Sequence, residues 1–225
     1  MEAIEKLFCA IGGEFLTPSN KIKKKYQKIK AFIFDWDGVF NDSVKYSSEG
    51  SLFSEADAMG INMLRFDRWR VESQIPYSFI ITGANNIKAI ELSKREHFNT
   101  VYLNYKNKRE ALDKITEQYS LKYEEIAFFF DDILDLGLAR VCGLTFCIRR
   151  DASQMFMEYL RDEKMCDYIT GKQGGEHAIR EVVELLLGAN DTYKTTIERR
   201  VSFEGSYTQY LQQRGEIETE VENHW

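Results

Sequence analysis

Ile29-Lys30-Ala31-Phe32-Ile33-Phe34-Asp35-Trp36-Asp37-Gly38-Val39 is the stretch on which the fold turns. Ala31 to Phe34 is a short unbroken apolar run, the pattern of a strand buried on both faces in a parallel sheet. It ends in an acid, Asp35, and a second acid, Asp37, follows two residues on. Residues i and i+2 of an extended chain point to one side. Asp35 and Asp37 are therefore expected to face one pocket, with Trp36 turned away, and Gly38 lets the chain bend sharply.

Similar apolar runs recur at Tyr77–Ile81, Thr100–Leu103, Ile126–Phe130 and Leu144–Ile148, with a shorter one at Tyr168–Thr170. Between them lie helical patterns at about Gly60–Val71, Asn86–Glu96, Lys108–Tyr119, Ile133–Val141 and Ser153–Arg161, and another follows at Glu176–Leu187. Strands alternating with helices predict an α/β fold with a doubly wound, Rossmann-like parallel sheet. One exception breaks the alternation. Val44–Tyr46 and Ser51–Ser54 flank Ser48-Glu49-Gly50, which reads as a β-hairpin flap after the first strand. Residues 1–28 form an N-terminal extension: a helical stretch stopped at Gly12-Gly13, then a basic run from Lys21 to Lys30 that reads as a solvated helix or loop face, with a phosphate-attracting rim as the alternative. Residues 29–188 form the main domain. Residues 189–225 are polar with a Glu-rich end and read as a peripheral helix and a poorly ordered tail.

The chain has 225 residues, 44% of them hydrophobic, enough for one α/β domain with a core. A formal charge of −6 argues against a general nucleic-acid surface. Four cysteines without metal-ligand spacing fit a reduced, cytoplasmic compartment. No secretory signal and no membrane-length apolar segment are expected.

In open parallel sheets, ligands bind at the carboxyl ends of the strands. Here those ends carry acids. Asp131 and Asp132 close the Ile126–Phe130 run, with Asp135 one helical turn beyond; Thr82-Gly83 ends another run. Lys108 opens a helix, against the helix dipole, at a local cost of roughly 0.3–1 kcal/mol. Rule-breaking of that kind is expected at functional sites. Carboxylates converging on one rim repel each other unless something neutralises them. Mg2+ is the natural candidate, since it prefers oxygen ligands and keeps places for water and phosphate.

In order along the chain, Phe34-Asp35-Trp36-Asp37-Gly38-Val39, Ile81-Thr82-Gly83, Lys108, and Asp131-Asp132 with Asp135 resemble the motifs of the haloacid dehalogenase superfamily of phosphotransferases. A narrower likeness comes from Asp37-Gly38-Val39-Phe40-Asn41-Asp42, Phe53 with Asp57 and Gly60-Ile61, and Gly174-Gly175 with Ala178, Arg180 and Glu181. These resemble the 3-deoxy-D-manno-octulosonate-8-phosphate phosphatases and their nonulosonate-phosphate relatives, over roughly residues 29–188. The gaps from Asp37 to Thr82 and from Thr82 to Lys108 are too short for an inserted cap domain. A capless site must exclude water another way, and the resemblance implies a homotetramer in which hairpins and neighbouring subunits cover the sites.

The resemblance also implies roles. Asp35 is the nucleophile and Asp37 the general acid and base. Mg2+ is held by the Asp35 carboxylate, the Asp37 backbone carbonyl and Asp131, with Asp132 and Asp135 orienting its surroundings. Thr82, Gly83 and Lys108 receive the phosphate. Asp42 and Asp57 are candidate substrate residues, with turn and cap roles open to both. The implied activity is a phosphomonoester hydrolase acting on a small sugar-acid phosphate. Two alternatives stand beside it: a phosphatase of another sugar or nucleoside monophosphate, and a non-catalytic binding or regulatory protein on the same fold.

Four positions depart from the family pattern. Phe130 replaces a usual Gly and is expected to put a ring beside the metal loop. Ala84 and Ala56 stand where the family carries Arg, removing two positive groups. His177, which replaces a small Gly, reads as a solvated helix-start residue with substrate contact as the alternative.

Overall fold

A computed structural model describes residues 2–45, 51–203 and 205–224. The chain opens with helix α1 (Ala3–Cys9), a two-residue strand β1 (Glu14–Phe15) and helix α2 (Ser19–Tyr26). Then comes the deciding strand, β2 (Ala31–Phe34), followed by α3 (Glu55–Glu72), β3 (Tyr77–Ile81), α4 (Ile87–Glu96), β4 (Thr100–Leu103) and α5 (Lys108–Gln118). The second half runs β5 (Ile126–Phe130), a 3-10 turn at Ile133–Asp135, α6 (Leu136–Ala139), β6 (Leu144–Arg149), α7 (Gln154–Asp162), β7 (Tyr168–Gln173) and α8 (Ala178–Ala189). Two further helices, α9 (Tyr193–Ser202) and α10 (Ser206–Gly215), lead to a last strand, β8 (Glu220–Asn223).

The eight strands form one sheet in the order β1-β7-β6-β5-β2-β3-β4-β8. Every pairing is parallel except that of β1 with β7. All four residues of β2 are buried, as a central strand covered on both faces requires. Their alternation splits the core in two. Phe32 and Phe34 pack with α2, α3, α4 and α8 on one face; Ala31 and Ile33 pack with α5, α6 and α7 on the other. The chain leaves β2 to one side for β3 and β4, then returns to place β5, β6 and β7 on the other. The crevice above the carboxyl ends of β2 and β5 is thus the topological switch point, where such sheets bind ligands.

α3 begins earlier than its apolar spacing alone indicates, because Ser54 caps it: its Oγ accepts the Ala56 N–H at 3.0 Å. The helix lies between the sheet layer and the C-terminal helices. Phe66 and Trp69 on its outer side meet Tyr207 and Tyr210 of α10 in a separate aromatic cluster. Buried Arg65 donates from Nη1 to the Glu96 carbonyl at 2.5 Å and from Nη2 to the His97 carbonyl at 2.9 Å. These are orphan acceptors at the C-terminus of α4, where a cation is favoured.

Both ends of the chain differ from the sequence expectation. The 189–225 segment was expected to lack sheet structure, yet β8 pairs with β4 from Thr100↔Glu220 to Leu103↔Asn223. Edge strands are held mainly by backbone pairing and tolerate polar side chains. Glu220, Val221, Glu222 and Asn223 fit that role, and Glu222 meets Lys114 and Tyr105. β1 is a second unforeseen edge strand. Tyr46 and the Ser48-Glu49-Gly50 turn of the expected hairpin lie outside the described residues, and the described flanks, 44–45 and 51–54, are not in strands. No described helix is long and apolar enough to cross a membrane.

Candidate active site

A cleft of about 540 Å³ opens over the switch point. Asp35, Asp37, Thr82, Gly83, Lys108, Asp131, Asp132 and Asp135 all line it. Asp35 is brought there by one more ladder bond beyond β2, its N–H donating to the Phe129 carbonyl at 2.9 Å. Asp131 follows β5 directly, and β5 is the hydrogen-bonded neighbour of β2. Thr82 follows β3, the neighbour on the other side.

Lys108 is buried between two acids. Its Nζ lies 2.5 Å from Asp35 Oδ1 and 2.5 Å from Asp135 Oδ1. Burial alone would lower the lysine's pKa, but the two carboxylates more than offset it and raise it, so the ammonium stays charged. This is what repays its place at the N-terminus of α5. Burial pushes Asp35 well above the ordinary carboxylate range, with Lys108 pulling it down and Asp135 and Asp131 adding to the rise. Burial likewise pushes Asp131 up to about 6 against the pull of Arg150.

Asp37 is less enclosed and held by three donors. Ser51 Oγ reaches its Oδ1 at 2.9 Å; Lys45 Nζ and Asn86 Nδ2 reach its Oδ2 at 2.6 and 3.0 Å. Asn86 also donates to Thr82 Oγ1 at 2.8 Å. Asn86 stands at the N-cap of α4 but its side chain makes no cap bond. A residue type that normally serves the helix here serves the cleft instead.

The loop after β2 is shaped by close approach. Gly38 has φ +88, and a Cβ there would lie 1.9 Å from Asp131 Oδ2. A Cβ on Gly174 would lie 2.2 Å from the Gly38 carbonyl oxygen. Asn41 pins the turn from within: its Oδ1 accepts the N–H groups of Gly38 (3.3 Å) and Ser43 (3.0 Å), and its Nδ2 donates to the Trp36 carbonyl.

The structure does not bring every sequence candidate into the cleft. Asp42 lines an adjoining cavity of about 340 Å³ with Asn41, Gly174, Gly175 and Arg150, and its Oδ1 accepts the Val44 N–H. Asp57 is fully buried away from both cavities; its Oδ1 accepts the Arg180 N–H at 2.9 Å in the first turn of α8. His177 is exposed and bonds Ser54 Oγ through Nδ1 at 2.8 Å. Phe130 does not crowd the metal loop. Ile126, Phe128 and Phe130 share one parity of β5, so its ring is buried beside Phe128, facing the α5–α7 layer. Asp132 caps the turn after β5, its Oδ1 accepting the Ile133 N–H at 2.7 Å.

Lys45 and Asn86, which hold Asp37, and Arg150, which lines the cleft, belong to no sequence motif. Arg150 follows β6 at the same sheet edge as the acids, and that position was its one available signal. Its Nη2 contacts Asp131 Oδ2 and donates to Ser43 Oγ at 2.9 Å.

Asp35, Asp131 and Asp135 can offer oxygens all within 4.8 Å of one another. An all-oxygen set of this kind suits Mg2+. The room left by the missing Cβ of Gly38, beside Asp131, is consistent with backbone at positions 37–38 joining it.

No family model matches the chain. The 3-deoxy-D-manno-octulosonate 8-phosphate phosphatase of Escherichia coli (strain B / BL21-DE3) is 28% identical over 173 residues, covering 75% of this chain and 85% of the relative. The Yersinia pestis phosphatase of the same name is 25% identical over 177 residues, covering 77% and 87%. Among solved structures, the Moraxella catarrhalis phosphatase in complex with magnesium, phosphate and the KDO molecule superposes with TM-score 0.67 at 28% identity, over 82% of this chain and 99% of that one. A Legionella pneumophila chain with a provisional designation as a HAD-superfamily (subfamily III A) hydrolase gives TM-score 0.67 at 26% identity, over 81% and 95%. The chain has the haloacid dehalogenase fold and resembles, through most of its length, the 3-deoxy-D-manno-octulosonate 8-phosphate phosphatases of that superfamily.

Proposed function

We propose that the protein hydrolyses a small sugar-acid phosphate with the help of Mg2+ and through a phosphorylated Asp35. The observation that carries this is the convergence of Asp35, Asp37, Thr82, Lys108 and Asp131 from four separate segments on one cleft at the switch point. Asp35 and Asp131, with the Asp37 backbone carbonyl, would hold the metal. When bound, it offsets the repulsion between an anionic carboxylate and an anionic phosphate.

An Asp35 oxygen attacks phosphorus and forms the acyl phosphate as the bond to the sugar oxygen breaks. The Asp37 carboxyl gives its proton to that leaving oxygen. In the second step the Asp37 carboxylate takes a proton from the water that attacks the acyl phosphate, so the group ends as it began. Ser51, Lys45 and Asn86 orient Asp37 for both transfers. Lys108 neutralises charge on Asp35 and the phosphoryl group, and Thr82 and Gly83 line its seat.

The rim supports cover by neighbouring subunits, as in a homotetramer. Ile133 and Leu134, beside the acids, are 64% and 75% exposed. The substrate is the less constrained part of the reading. Ala84 and Ala56 leave the cleft's cations to Lys106, Lys108 and Arg150, which favours as a second reading a phosphatase of another sugar or nucleoside monophosphate. Phosphate release from a panel of sugar-acid, sugar and nucleoside monophosphates, with and without Mg2+, separates the two. Asp35→Asn is expected to abolish turnover on every substrate while the circular dichroism spectrum stays unchanged. Retained turnover in that variant removes the nucleophile assignment.

A further inference from the structure

Arg150 stands in the wall between the two cavities and lines both. Its Nη2 meets Asp131 Oδ2, an oxygen of one of the carboxylates offered to the metal, and Ser43 Oγ. Gly38 makes that approach feasible, since a Cβ there would lie 2.5 Å from the same nitrogen. The side chain is one third exposed, yet its Nε is buried with no acceptor among the described residues. Arg149 next to it is committed elsewhere, to the Thr170 and Gly12 carbonyls and to Glu14. Arg150 thus combines a full charge on a prospective metal ligand, a donor without an acceptor, and contact with the substrate cleft.

From this arrangement we infer that Arg150 is a positioning residue that competes with the divalent cation for Asp131 and yields it when an anion enters the cleft, so that cation and phosphate bind cooperatively. This rests on the proposed phosphatase reading. A carboxylate oxygen already shared with a guanidinium is a weaker ligand, because a charge-assisted hydrogen bond must be given up for the new bond. A phosphate in the cleft offers the guanidinium a better-matched, bidentate partner. Whatever draws Arg150 away from Asp131 raises affinity for the cation, and linkage makes the effect reciprocal.

The experiment is calorimetric titration of Mg2+ into the full-length protein, alone and with inorganic phosphate, for the wild type, Arg150→Gln and Arg150→Lys. Thermal melting follows each with and without Mg2+. Arg150→Gln is expected to bind Mg2+ alone about tenfold more tightly than the wild type. Its phosphate-dependent gain in Mg2+ affinity should be several-fold smaller than the wild type's. Without metal it should melt lower, since Asp131 loses its counter-charge, and Mg2+ should raise its melting temperature more. Arg150→Lys keeps the charge without the fork and should fall between them; it also serves if Arg150→Gln fails to fold. Equal or weaker Mg2+ binding by Arg150→Gln, or by Arg150→Lys in that case, with turnover of the wild type intact, overturns this inference and leaves the phosphatase reading standing. A wild type that binds no Mg2+ and releases no phosphate overturns both.

Discussion

Replacing Gly38 by alanine tests the geometry of the site with a single methyl group. Two costs follow from the structure. The residue sits at φ +88, where an L side chain costs about 1–2 kcal/mol. The added Cβ would also lie 1.9 Å from Asp131 Oδ2 and 2.5 Å from Arg150 Nη2, so Asp131 must move by about 1.5 Å to regain ordinary contact distance. A displacement near 1 Å at a reacting centre costs about 100-fold in rate. Gly38→Ala is therefore expected to unfold at lower denaturant by about 1–2 kcal/mol, to lose about two orders of magnitude in kcat, and to need more Mg2+ for half-maximal activity. Gly137→Ala is the control, because nothing lies within 4 Å of its added Cβ; it should leave both kcat and the Mg2+ titration unchanged. The assays are urea unfolding and phosphate release across a Mg2+ series. A Gly38→Ala enzyme within a few-fold of wild-type kcat, with an unshifted Mg2+ dependence, would refute the placement of Asp131 against the 37–38 turn.

Lys108→Met should cost about 3–5 kcal/mol of stability, since it strips the shared counter-charge from two buried carboxylates, Asp35 and Asp135; urea unfolding at pH 7 checks it. Asp57 predicts a pH effect. Burial raises its folded pKa to about 6, so the folded state binds its proton more tightly than the unfolded state does. The stability it contributes is present below the ordinary carboxylate value of 3.8 and is lost as pH rises through about 6. That loss is at most about 3 kcal/mol. Asp57→Asn keeps an oxygen for the Arg180 N–H and should abolish this slope, unfolding later than the wild type at pH 7 and no later at pH 4. A wild-type profile that is flat from pH 4 to 7, or one that survives in the variant, contradicts it.

What the sequence made legible was whatever depends on burial of both faces. β2 and β5 are continuous apolar runs because they lie at the centre of the sheet, and the acids that end them needed only the strand-end rule to be placed together. What it hid depends on backbone pairing or on single side chains. β8 carries one large apolar residue, Val221, so no hydrophobic alternation betrays it; its bonds to β4 are main-chain bonds, which any sequence can make. Asp57 looked like a cleft acid because helix starts and ligand sites share a residue preference, and only its contact with α8 separates them. Phe130 was legible in principle. Counting parity back through Phe128 and Ile126 turns its ring away from the acids. Arg150 offered nothing periodic at all, only a cation one residue past a strand.

The charges of the cleft argue for one last point. Among the described residues, Asp35, Asp131 and Asp135 face two cations in direct contact, Lys108 and Arg150. With all five ionised, the group keeps one net negative charge. A phosphate monoester adds up to two more, and at contact distances in a partly buried site each uncompensated pair costs several kcal/mol. Arg150 cannot serve both Asp131 and the phosphate at full strength, and Lys108 is already shared. The two cations in contact with the acids therefore suffice to keep the acid cluster folded but not to receive a phosphate beside it as well. A site built this way holds its acids stable on its own and becomes receptive to an anion when further positive charge arrives. That is the electrostatic logic of a metal-assisted phosphatase, written in the residues themselves.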